Sequence, residues 1–312
     1  MKKLLFALLN GAGAARVSAW LNRRRVVVLC YHCVTPRPDL VGDDPHKQHL
    51  PLKLFLAHLD HLQSRYRVVP LAEFIAARRE RRRLPDYSVV LTFDDGMRNF
   101  LTLAAPALAA RSLHATAFVV TDEAEAAEAL PARPASWSPE DEYAYLSWSE
   151  IRALARGGGV EFGSHSCTHP RLTEQPPAEV ERELGDSYRA LASLTGRRDI
   201  PFAYPHGRAS AHLVGRVREH GYSCALTTDE GLNDQDTDEF ALRRLAVPSD
   251  DDPAAFAARV SGLTLRLREL RRVALAPFAP APPLADARGK GLPLVRRAAS
   301  LLRSAAAAAE RE

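Results

Sequence analysis

The 312-residue sequence predicts an α/β fold whose parallel βα units close into a barrel of about seven strands. Two observations predict it. Short β-branched apolar runs alternate with amphipathic segments of helical length along most of the chain. The motifs rich in reactive side chains, Asp94-Asp95, His165 and Pro205-His206-Gly207, all fall where such runs end. In a barrel of this kind the C-terminal strand ends form the functional edge.

Residues 26–29 begin a buried strand that continues into Cys30-Tyr31-His32, and a loop rich in proline, aspartate and histidine follows to about Leu50. Leu52, Phe55, Leu56, Leu59 and Leu62 recur at helical spacing. Residues 66–70 read as a strand and 71–79 as a helix, with the arginines of 78–83 as its solvated basic end. His46, His49, His58 and His61 are expected at the surface. A strand at 89–93, a helix at 101–110 containing Pro106 and a strand at 114–120 come next. Residues 121–145 form an acidic insertion containing alanine and proline, expected as a rim loop or lid. Ser147-Trp148-Ser149-Glu150 has capping-box spacing and opens a helix through Arg156, ended by Gly157-Gly158-Gly159. The strand starting at 160–162 leads to His165. Helices at 177–194 and 211–220 alternate with strands at 200–204, 223–227 and 242–247.

Three regions follow: a basic amphipathic segment at 1–25, the barrel at 26–262, and a basic, proline- and alanine-rich tail at 263–312. In the tail, 277–283 is a linker and 292–302 a cationic amphipathic stretch. The net charge of +4 is modest, and no nucleic-acid-binding module is present in the sequence. Cys30, Cys33, Cys167 and Cys224 lack the paired spacing of a zinc ribbon and are expected as free buried thiols. The apolar run 4–9 is too short to span a bilayer, and Arg16 and Arg23-Arg24-Arg25 interrupt and close the segment. The preferred expectation is a cytoplasmic protein peripheral on an anionic inner-membrane surface; the alternative is a signal peptide and a periplasmic or secreted protein.

The run Val89-Val90-Leu91-Thr92-Phe93 delivers two adjacent carboxylates, Asp94 and Asp95, to a rim, and His165 and His169 stand four apart. Carboxylate and imidazole are ligands that zinc-like ions take, and three of these four groups would leave such an ion one open position. The remaining aspartate would then serve as a base. Alternate side chains on a strand point to opposite faces, so the two aspartates share a job only if the strand has ended.

Thr92-Phe93-Asp94-Asp95-Gly96 and His165-Ser166-Cys167-Thr168-His169-Pro170 resemble the first two motifs of polysaccharide deacetylases with the NodB homology domain, a carbohydrate esterase family 4-like group. Phe202-Ala203-Tyr204-Pro205-His206-Gly207 resembles the third motif in its biofilm-polysaccharide form. The resemblance spans about residues 26–250 and implies a distorted (β/α) barrel with one divalent metal, usually Zn2+. It implies Asp95, His165 and His169 as metal ligands, Asp94 as general base and the backbone N–H of His206 as oxyanion donor. Ser166 is expected to orient the ligand loop. The chain carries Ala203 where the family's third motif more usually has an arginine, which puts in doubt any arginine contact to Asp94. The family's late Leu-x-x-His segment is missing between Leu242 and Leu263, and Tyr31-His32 resembles the biofilm subgroup's replacement, which makes His32 the candidate general acid.

The function implied is metal-dependent removal of N-acetyl groups from N-acetylhexosamine residues of a polysaccharide or lipid-linked glycan. Two alternatives stand beside it: deformylation or deacetylation of a lipid-linked amino sugar, and a non-catalytic glycan-binding relative.

Overall fold

The computed structural model describes residues 2–37, 39 and 48–275, and residues up to Glu269 form one compact unit. The linker and the cationic stretch expected at 277–302 lie outside the described residues, as does His46.

Strands β1 (Val27–Tyr31), β5 (Ser88–Phe93), β6 (Ala115–Val119), β7 (Val160–Ser164), β8 (Phe202–Ala203), β9 (Ala225–Leu226) and β10 (Leu245–Ala246) form a parallel sheet in the order β10-β1-β5-β6-β7-β8-β9. A short β4 (Arg67–Val68) adds to β5. A single parallel bridge between Leu226 and Leu242 ties the last strand back to the segment entering β10, so the sheet curls into the expected distorted barrel. The loop expected after β1 contains one more parallel pair, β2 (Cys33–Thr35) with β3 (His49–Pro51).

Two-residue periodicity divides the strand side chains. Val27, Leu29, Tyr31, Val89, Leu91 and Phe93 face the outer helices and belong to the main core. Val28, Val90, Phe118, Ala203 and Leu226 face inward and pack with the helix Leu71–Arg79, which plugs the N-terminal end. The interior is filled tightly: a Cβ at Gly163 would meet the Phe118 ring at 2.5 Å. Farther along the same inward parity, polar groups take over at the C-terminal rim.

The expected helices are present as Leu52–Arg65, Leu71–Arg79, Trp148–Gly157, Pro177–Thr195 and Ala211–Glu219. Ser147 and Glu150 make the reciprocal capping-box bonds, 3.3 and 3.1 Å. Around Pro106 the expected helix opens with a wide π turn, Phe100–Ala104, before Ala105–Ala109, because proline has no N–H to donate to the preceding turn. The insertion contributes the helix Thr121–Glu128 and a 3-10 turn, Pro139–Tyr143, held by the buried Arg98, which pairs with Asp141 and with Glu150 at 2.7 Å. Residues 2–22 form two helices, Lys2–Gly11 and Ala14–Asn22, and the helices Pro253–Val260 and Leu263–Leu275 follow β10.

Two surface expectations are corrected. Arg78 reaches across to the carbonyls of Asp234 and Thr237 and so anchors a loop. His58 is fully buried, stacked on Phe256 at 3.9 Å, with Nε2 bonded to the Asp251 carbonyl at 2.8 Å; His49 and His61 are half-buried. Helical spacing put His58 on the apolar side of its helix beside Phe55, Leu59 and Leu62, and tertiary packing then covered it.

Burial pushes the His58 imidazole down from 6.5 to about 4, with the Asp251 carbonyl opposing. The unfolded chain therefore binds the proton more readily, so the stabilisation from neutral His58 is complete above 6.5 and is lost as the pH falls through this window. Urea unfolding should show about 2 kcal/mol of this loss between about pH 7.5 and 5. His58→Leu should flatten the pH dependence by that amount; an unchanged slope would contradict the assignment.

Candidate active site

Inward parity brings Cys30 and His32 from β1, Thr92 and Asp94 from β5, and His165 from β7 to the same rim. Asp94 continues the ladder past the end of β5, its N–H bonding to the Tyr31 carbonyl at 3.0 Å. Asp95 then takes a left-handed φ of 72°, which ends the strand and turns its carboxylate toward the same space. This is how adjacent residues come to serve one site.

The aspartate-to-arginine contact put in doubt by Ala203 is made by another residue. Arg244, fully buried in the segment entering β10, grips Asp94 with two parallel bonds, Nη1 to Oδ1 at 2.6 Å and Nη2 to Oδ2 at 2.7 Å. Its Nε donates to the Thr227 carbonyl at 2.8 Å and Nη1 to Thr92 Oγ1 at 3.3 Å. Burial alone would raise the Asp94 pKa. The Arg244 charge, then His165, the Arg244 hydrogen bonds and His32 outweigh that and hold the carboxyl well below the usual carboxylate range. Asp94 is therefore ionised at any physiological pH. Cys30 lies 3.4 Å from Asp94 Oδ2, and a His32 ring nitrogen lies within 4.8 Å of both. Burial pushes the Cys30 thiol well up, so it remains protonated beside the carboxylate.

Asp95, His165 and His169 form a compact triangle. His165 Nε2 and His169 Nε2 are 3.2 Å apart, and Asp95 Oδ1 lies 3.6 and 3.7 Å from them. A tetrahedral ion with bonds of roughly 2.0–2.1 Å would space its ligands about 3.4 Å apart, so the three residues fit one divalent metal. His165 Nδ1 lies 2.8 Å from the Ala203 carbonyl, an acceptor only, so it carries the proton and Nε2 presents its lone pair. Burial, then the neighbouring His165, pushes His169 down to about 4 against the pull of Asp95, which leaves the neutral imidazole a ligand needs. Asp94 stands 3.9 Å from His165 Nε2, beside the triangle and committed to Arg244.

The loop carrying the histidines is strained and well supported. Ser166 (φ 66°), His169 (59°), His206 (56°) and Asp95 are four of the seven non-glycine residues with left-handed φ among the described residues. Such conformations persist only where the surroundings enforce them. Ser166 Oγ accepts the His169 N–H at 3.1 Å, the orienting role expected of it. Glu183, buried on the helix Pro177–Thr195, accepts the N–H groups of Cys167 and Thr168 at 2.7 and 3.0 Å and the Thr168 hydroxyl at 2.7 Å. The His206 ring lies 4.6 Å from that of His169, so the 205–207 turn borders the triangle.

All six expected site residues thus meet at one rim. Arg244 and Glu183 were missed, although each left a signal. Arg244 shares the inward parity of Leu242, and Glu183 lies in the apolar stripe of Val180, Leu184, Ser187 and Leu191. A charge on a buried face marks a paired group.

Glu183→Gln keeps the size but cannot accept from three donors at once. It should weaken metal binding about 10- to 100-fold in chelator competition, as loss of outer supports does elsewhere; unchanged affinity would contradict the supporting role. Arg244→Met leaves a buried, unpaired carboxylate and should cost about 3–5 kcal/mol in urea unfolding. The double variant Arg244→Met/Asp94→Asn should recover most of that loss, and equal instability of the single and double variants would refute the pairing.

Residues 81–225 match the family model described as polysaccharide deacetylase. A Bacillus subtilis protein named as a polysaccharide deacetylase is 22% identical over 250 residues, covering 79% of this chain and 81% of that protein. The Escherichia coli poly-β-1,6-N-acetyl-D-glucosamine N-deacetylase is 24% identical over 197 residues, 54% of this chain but 29% of that enzyme. Among solved structures, the Streptococcus pyogenes deacetylase PplD with acetate superposes with a TM-score of 0.66 at 23% identity, over 76% of this chain and 98% of that one. IcaB from Ammonifex degensii gives 0.61 at 24% identity, over 76% and 97%. These likenesses share the barrel. The sequence match runs from β5 to β9, with the Asp-Asp and His-x-x-x-His groups assembled at its rim, so residues 81–225 resemble the polysaccharide deacetylases, which are hydrolases of carbon–nitrogen bonds.

Proposed function

We propose that the protein is a metal-dependent N-deacetylase acting on N-acetylhexosamine residues of a polysaccharide or lipid-linked glycan, at an anionic membrane surface on the cytoplasmic side. The observation that carries the catalytic reading is the Asp95–His165–His169 triangle with a separate Asp94, held by Arg244, beside it. One divalent ion, of the zinc class by its ligand set, would acidify water and polarise the acyl oxygen. Asp94 takes a proton from the water that attacks the acetamide carbonyl. The backbone N–H of His206 donates to the oxyanion of the tetrahedral intermediate. His32 gives a proton to the amine as the carbon–nitrogen bond breaks, so water and amide yield acetate and a free amino sugar. A cavity of about 670 Å³ lies under the 121–147 segment, with Tyr143, Tyr145 and Glu123 among its lining residues. Tyr145 bridges to Met97, two residues after Asp95, so this segment borders the rim where further sugar units of a polymer would lie. A purely glycan-binding role would give no reason to clamp an ionised Asp94 beside intact ligands.

Removing a ligand and removing the base should separate cleanly. His169→Ala should lose the metal by elemental analysis. Asp94→Asn should keep it yet lose roughly two to four orders of magnitude of acetate release from N-acetylated oligosaccharides. Loss of metal in Asp94→Asn, or full occupancy in His169→Ala, would reverse the roles.

His32→Ala should abolish the limb of the pH–rate profile that requires a protonated group. If the profile keeps its shape, His32 is structural.

A further inference from the structure

Among the described residues seven large apolar side chains stand more than half exposed, and four of them, Leu8, Val17, Trp20 and Leu21, lie on the N-terminal helical hairpin. Its inner face is already committed. Phe6 is buried against Ala255, Ala258 and Leu263. Asn10 donates to the Ala254 carbonyl at 2.7 Å, and Ser18 Oγ and Asn22 Nδ2 both donate to the Ser261 carbonyl at 2.9 Å. These pins decide which side faces out. Val17, Trp20 and Leu21 then form one ridge at helical spacing, flanked by the exposed Arg16 and Arg24. Arg23 lies 4.7 Å over the Trp20 ring and pairs with Asp86 at 3.3 Å, which stiffens the end of the ridge.

We infer that this ridge docks the protein on an anionic lipid bilayer, and that docking holds the catalytic rim away from the lipid. The inference rests on the membrane reading above and adds the face and the orientation. Two observations select lipid. The exposed apolar residues include a tryptophan and are bordered by arginines, the composition of a helix lying in a membrane interface. The first 38 residues contain no aspartate or glutamate, so the segment complements a negative surface, whereas a second copy would oppose like charges. No described helix is long and apolar enough to cross a membrane.

The orientation follows from where the second helix ends. The Arg23 carbonyl accepts from Tyr87, just before β5 begins, and Val26 bridges to Asn233 before β1 begins. Trp20 and Leu21 therefore sit at the N-terminal strand ends, and His32 follows β1 at the other. A five-residue strand separates them, roughly 17 Å. Docked this way, the site would take glycan that stands off the membrane, in preference to a sugar held at the headgroups.

The test uses the full-length protein with phosphatidylcholine vesicles, with or without phosphatidylglycerol. It should sediment with the anionic vesicles and be released by salt. Val17→Ala/Trp20→Ala should bind about tenfold or more weakly while releasing acetate from soluble oligosaccharide at the parent rate. Brominated lipid should quench Trp20 in a Trp137→Phe/Trp148→Phe background. It should leave Trp148, near the rim, unquenched in a Trp20→Phe/Trp137→Phe background. Quenching of Trp148 without Trp20 overturns the docking face but leaves the membrane reading standing. Failure to sediment overturns both, with acetate release still deciding the deacetylase reading separately. A lipid-free dimer that buries Trp20 assigns the ridge to a second copy and overturns the inference.

Discussion

The pairing of Asp94 with Arg244 is the constraint on which the site depends. Both side chains are buried, and neither could remain charged in the barrel interior alone. Their parallel bonds, with Thr92 and the Thr227 carbonyl taking further guanidinium donors, tie β5, the segment after β9 and the approach to β10 into one polar cluster. Because both Asp94 oxygens are held, the carboxylate is fixed in direction as well as in charge. The triangle of Asp95, His165 and His169 forms beside it, Asp95 being turned aside by its own left-handed φ, which ends the strand.

The site is built of two unlike halves. Asp94 extends from a rigid buried strand, whereas Asp95, His169 and His206 stand on strained turns with left-handed backbone. Strain of this kind relaxes unless opposed, and Glu183, Ser166 and Ser164 oppose it by accepting the loop's N–H groups. The buried Glu183 carboxylate, which also pairs with Arg182 at 2.8 Å, is fully engaged, so the loop has little freedom to move while that helix is in place.

The molecule is also polarised along the strand direction. Apolar side chains and the helix Leu71–Arg79 close one end of the barrel, while Asp94, Asp95 and the histidines open the other. The N-terminal hairpin joins near the closed end, away from the rim that carries these groups.

Much of the fold was legible from local pattern alone. Short β-branched apolar runs marked the strands, helical spacing marked Leu52–Arg65 and Pro177–Thr195, and the Ser147–Glu150 spacing marked a helix start. The ligand types and their places at strand ends were likewise written in the order of residues, and the family resemblance assigned their roles. What local pattern could not supply was the partner of each buried charge. Asp94 and Arg244 are 150 residues apart, and a short window can mark an arginine of inward parity without showing which charge it will meet. His58 is the same case in reverse: a polar residue on an apolar stripe is ambiguous until Phe256 and Asp251 cover it. The sequence by itself determined which residues could do the chemistry, because side-chain type and strand parity are local properties. Only the tertiary structure decided which charges are buried together, because the cost of burying a charge depends on partners brought by distant segments.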